Sequence, residues 1–89
     1  MEKTFKITTL EGVHARPSAL IVAAVTPFTS NVELIYNGKS ANLKSIMAVM
    51  TQSIPTGSVI TISAEGADAE ALMSKVTNVI ISHGIGEEC

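Results

Sequence analysis

The feature that most constrains this chain is Asn37-Gly38. Before it lies Asn31–Tyr36, where Val32, Leu34 and Tyr36 share one face; after it comes Lys39–Leu43, long enough for a short return strand. An Asn-Gly pair between two such runs is the strongest short-range signal for a two-residue hairpin, because both residues tolerate positive φ. A hairpin with one apolar face has to lay that face on something. The rest of the chain supplies three stretches with helical spacing and two more with strand spacing.

In order, residues 3–9 alternate as a strand, with Phe5 and Ile7 between Thr4, Lys6 and Thr8. Leu10-Glu11-Gly12 breaks the pattern as a loop. A helix runs from Ala15 with Leu20, Ile21, Ala24 and Phe28 at helical spacing, and Pro27 ends it. After the hairpin, Ser45 can N-cap a short helix carrying Ile46, Met47, Val49, Met50 and Ile54, stopped by Pro55-Thr56-Gly57. Ser58–Ala64 is a strand with Ile60, Ile62 and Ala64 on one face. Asp68 is a candidate N-cap for a last helix striped with Leu72, Val76, Val79 and Ile80, and Gly84–Cys89 reads as a frayed tail. The order βαββαβα predicts an α+β fold, an open-faced two-layer β-sandwich with helices on one face of the sheet.

At 89 residues the expectation is a single domain over 1–89 with one modest core. With no Trp, one Tyr and two Phe, that core has to be Ile, Val, Leu, Met and Ala. A net charge of −2 and the scarcity of aromatic rings argue against direct nucleic-acid binding. The one cysteine, Cys89, excludes an intrachain disulfide framework and a CxxC metal site, and suits a reducing compartment. The N-terminus lacks a signal-like apolar run, and the longest apolar stretch, Ala19–Val25, is too short for membrane insertion; a cytoplasmic protein is expected. There is no glycine pattern for ATP or NAD, and His83 has no companions that would bind a metal, so neither cofactor nor metal is expected.

The chemistry concentrates in Gly12-Val13-His14-Ala15-Arg16-Pro17-Ser18. An imidazole has a neutral, nucleophilic form near physiological pH. At a helix start it sits beside unpaired backbone N–H groups that favour an anion. Arg16 can add a charge-assisted contact, and Pro17 suits a first helical turn. Such a place could accept a phosphoryl group and give it away. On spacing alone, a helix-start histidine and a solvated arginine explain the stretch at least as well.

Those residues resemble the active-site signature of HPr, the histidine-containing phosphocarrier family of the bacterial phosphoenolpyruvate:sugar phosphotransferase system. Asn42-Leu43-Lys44-Ser45-Ile46-Met47 resembles the family's second signature, around its regulatory serine. The resemblance implies a four-stranded antiparallel sheet in the order 1-4-2-3, covered by three helices. It implies that His14 takes a phosphoryl group from enzyme I, on ring Nδ1, and passes it to sugar-specific enzyme IIA domains, with Arg16 contacting the phosphate. The chain would then be a carrier, not an enzyme that turns over a substrate alone, and would work as a monomer. Ser45 would be the target of an HPr kinase/phosphorylase, its phosphate lowering transfer at His14 and, in some bacteria, recruiting a catabolite-control repressor. Arg16, Lys44, Ile46, Met47 and Leu20 would dock partners, with Met47 exposed and Met50 partly buried, while Gly12 and Pro17 support the helix start.

Two departures stand out: the first helix, Ser18–Thr26, has no Lys or Arg, and Ala48 replaces a glycine common in the family. Arg16 and Lys44 would therefore carry most of the basic docking surface. Two other readings share the fold, a regulatory module acting mainly through Ser45 and a carrier for a specialised nitrogen, fructose or dihydroxyacetone system. The Asn42–Met47 stretch leans toward the general sugar system.

Overall fold

The computed structural model describes residues 1–89. The elements are β1 (Glu2–Ile7), α1 (Ala15–Val25), β2 (Asn31–Tyr36), β3 (Lys39–Asn42), α2 (Ile46–Thr51), β4 (Val59–Glu65), α3 (Ala69–Ser82) and β5 (Gly86–Glu88). The hairpin is as expected: Asn37 and Gly38 both have positive φ, 54° and 79°, and Tyr36 pairs with Lys39 across the turn.

One antiparallel sheet runs β3-β2-β4-β1-β5. Four of these strands keep the order 1-4-2-3, but the sheet has five strands, which corrects the expected four. The added strand lies in the stretch read as a frayed tail. Two glycines there suggested disorder, yet they bracket Ile85, which is fully buried. After the C-cap His83, Ile85 N–H donates to Ile80 O at 2.9 Å and Gly84 N–H to Ile81 O at 3.1 Å, a Schellman closure. That closure turns the chain back along β1, where Ile85 O also accepts from Thr8 and Thr9.

The three helices cover one face. Phe5, Ile7, Val32, Leu34, Ile60 and Ile62 point from the sheet into a core completed by Ile21, Val25, Val49, Leu72, Met73, Val76 and Ile80. Burying a side chain of this size is worth roughly 1.5–3 kcal/mol before entropy is counted. The other face is open and carries Thr4, Lys6, Glu33 and Thr61 beside the half-buried Ile35. No helix is long and apolar enough to cross a membrane.

Asp68 sits at the N-cap position of α3 but makes no side-chain cap. Its carboxylate instead accepts hydrogen bonds from the N–H and hydroxyl groups of Thr29 and Ser30, tying α3 to the α1–β2 loop. These bonds, the Ser30 hydroxyl first among them, lower its pKa from 3.8 to about 2. A carboxylate with a lowered folded-state pKa adds stability that is complete above the unfolded value and is lost as pH falls toward the folded one. Thermal unfolding of Asp68→Asn should therefore show a flatter fall in Tm between pH 4 and pH 2 than the wild type.

The end of α2 holds the second expected outcome. Ser53 follows the Gln52 C-cap with φ of 50° and donates its N–H to Met50 O at 3.1 Å. A left-handed backbone costs an L-residue about 1 kcal/mol, and glycine avoids that cost. Ser53→Gly should raise stability by about 0.5–1 kcal/mol, read as a rise in Tm of a few degrees.

Candidate functional site

α1 begins in a tightly held loop. Gly12 adopts φ of 69°, and a Cβ there would lie 2.4 Å from the carbonyl oxygen of Ile54. That space admits no side chain. Val13 N–H donates to the same carbonyl at 2.9 Å, and the Val13 side chain is buried. The buried Ser18 hydroxyl reaches back to Val13 O at 3.3 Å, and Ser18 N–H donates to His14 O at 3.0 Å. Pro17 is buried against the core in the first turn. Between these fixed points His14 is the N-cap and its ring projects into solvent.

No side chain caps this end of α1, and no acidic residue lies in its first turn. Pro17 has no N–H, so Ala15 and Arg16 supply the first turn's free backbone donors. They, the positive end of the helix dipole and the Arg16 guanidinium make an anion-favouring surface around an exposed imidazole. Arg16 is engaged as the chain stands: its Nη2 donates to Glu11 Oε1 at 3.0 Å. Glu11 read only as part of a loop. It precedes Arg16 by five residues, a separation outside helical or strand periodicity, so no pattern signals the pair.

The second signature builds the start of α2. Asn42 Oδ1 accepts from Lys44 N–H at 3.0 Å, Leu43 is fully buried, and Ser45 Oγ accepts from Ala48 N–H at 3.2 Å, an N-cap as predicted. Lys44 Nζ donates to Phe28 O at 2.7 Å, just beyond the end of α1. α1 has no basic residue in its last turn, and Lys44 supplies that cation from a distant part of the sequence. Its ammonium is thus tied down, and Arg16 is the cation at the helix start.

Ile46, Met47 and Met50 form an exposed apolar strip along α2; Met47 is 75% exposed and Met50 38%. Leu20 is half-buried against the core. The start of α1 packs on the segment after α2, through Val13 and Ile54, whereas the start of α2 reaches the end of α1, through Lys44 and Phe28. The two helices are antiparallel, so the signatures do not meet at one edge. His14 opens α1, and Ser45 opens α2 next to Lys44, whose ammonium reaches the far end of α1. No group of His, Cys, Asp or Glu is gathered to hold a metal ion.

Over residues 1–82 the chain matches the family described as the PTS HPr component phosphorylation site. A mycoplasma histidine-containing phosphocarrier protein is 37% identical, with a TM-score of 0.94 over 97% of this chain and 98% of its own. The phosphocarrier HPr of Bacillus anthracis is also 37% identical, with a TM-score of 0.81 over 89% and 94% of the two chains. The Bacillus subtilis catabolite repression protein Crh, which crystallised as a domain-swapped dimer, is 35% identical, with a TM-score of 0.72 over 86% and 88%. This chain belongs to the HPr family, the phosphocarrier proteins of the phosphotransferase system.

Proposed function

We propose that this chain, folded as one domain over its whole length, receives a phosphoryl group on His14 from phospho-enzyme I. It passes that group to sugar-specific enzyme IIA domains in the cytoplasm. The observation that carries this reading is the exposed ring at an uncapped helix start, with Arg16 in the first turn beside it. The lone pair of a neutral ring nitrogen, Nδ1 by family resemblance, forms the bond to phosphorus. The donor's bond to phosphorus breaks, and its electron pair stays on the donor. The proton on the other ring nitrogen is released, balancing the one the donor takes up. Arg16 and the free amides of the first turn stabilise the incoming charge. Each such contact is modest at an exposed site, about 0.3–1 kcal/mol, which lets the group leave again. The chain needs no pocket, because the partner brings the rest of the chemistry and docks on Arg16, Leu20, Ile46 and Met47.

Incubation with phosphoenolpyruvate and enzyme I should give an acid-labile, alkali-stable phosphate that is lost in His14→Ala. No labelling of the wild-type chain would overturn the proposal.

Ser45 is proposed as the regulatory site, phosphorylated by an HPr kinase/phosphorylase. Ser45 opens the helix that carries Ile46 and Met47, so a phosphate there acts on the docking strip as an added anion facing an approaching partner. The same phosphate sits at a helix start, where negative charge is favoured, so α2 stays formed. The role of Ser45 as a cap and its role as a target are separable. Ser45→Ala should lower stability by about 1 kcal/mol and leave labelling at His14 intact. Ser45→Asp keeps a capping oxygen, so its Tm should stay near wild type while transfer from enzyme I slows about tenfold or more. The similarity to Crh supports a second role in catabolite regulation through the phosphorylated serine, read out as binding of the Ser45-phosphorylated chain to a catabolite-control repressor.

A further inference from the structure

We propose that Glu11 is a positioning residue for phosphotransfer. It holds the Arg16 guanidinium on its own carboxylate while the ring of His14 is empty, and it competes for that guanidinium once a phosphoryl group arrives. This rests on the reading of His14 as the phosphoryl acceptor and Arg16 as its contact.

The geometry is specific to the loop. Glu11 and Arg16 bracket His14 in the sequence, and their side chains close on each other at 3.0 Å. The backbone between them is fixed on both sides. Gly12 N–H donates to Thr9 O at 3.1 Å, Val13 N–H is tied to Ile54 O, and Arg16 stands in the first turn of α1. The pair is therefore carried on a rigid frame, although both side chains are about half in solvent. The only other ion pair, Lys3 with Glu88, joins β1 to β5 and lies on the sheet.

A guanidinium presents donors in a planar fork that matches a carboxylate or a phosphoryl group, and it meets one of them fully at a time. A phosphoryl group on His14 must draw Arg16 away from Glu11 or share it, and it sits near a second negative charge while it does so. Both effects raise the free energy of the phosphorylated state relative to the empty one. A carrier gains from this, since its load has to be given up to the next protein. The pair is exposed, so the expected effect is about two- to fivefold in the transfer equilibrium.

The test uses the full-length chain with enzyme I in phosphoenolpyruvate–pyruvate mixtures, comparing wild type, Glu11→Gln and Glu11→Asp. The phosphorylated fraction gives the transfer equilibrium, and the Arg16 Nε–Hε resonance of the unphosphorylated protein reports the pair. Glu11→Gln should favour the phosphorylated chain about two- to fivefold and shift the Arg16 resonance, at a Tm within a few degrees of wild type. Glu11→Asp should stay near wild type in both. An equilibrium unchanged in Glu11→Gln, or an Arg16 resonance indifferent to the substitution, would overturn the proposal alone. Wild-type protein that takes no label would overturn the His14 reading and this proposal together.

Discussion

The carbonyl of Ile54 is the fixed point on which the loop that presents His14 depends. It accepts the Val13 N–H and lies where any side chain at position 12 would have to go. One backbone oxygen therefore joins the loop entering α1 to the segment leaving α2, two stretches far apart in the sequence. Val13, Pro17 and Ser18 are all buried, while His14 between them is left exposed. The exposure of His14 is thus a packing result. It does not require that the residue be polar, only that its neighbours be held.

The opposite end of the helical layer is held by charge. α1 ends without a cation of its own, and Lys44 brings one to Phe28 O. α3 begins without a side-chain cap, because Asp68 spends its oxygens on Thr29 and Ser30. In both cases a charged side chain from another part of the chain serves the α1–β2 loop, and Asp68 does so in place of capping its own helix. The loop between the first helix and the second strand is the place where three elements meet, and its backbone polar groups had to be satisfied from outside.

The elements with local causes were legible. Asn37-Gly38, the alternation around Ile60 and Ile62, and the capping oxygen of Ser45 each act over a few residues, and the structure has them where the pattern puts them. His14 at the start of α1 was legible for the same reason. What was not legible depends on partners remote in sequence or outside any periodicity: β5 pairing with β1, Ile54 against Gly12, Lys44 on Phe28, and Glu11 on Arg16. The tail shows the limit most clearly. Gly84 and Gly86 are breakers by any local rule, and the burial of Ile85 between them outweighs that rule.

β1 takes its place between β4 and β5, so Phe5 sits opposite Ile60 on one side and Glu88 on the other. A nascent chain therefore emerges from the ribosome with its first strand unmatched on both edges. The β2–β3 hairpin can form early from neighbouring residues, but β1 waits for strands synthesised last, and with it waits the loop that aims His14.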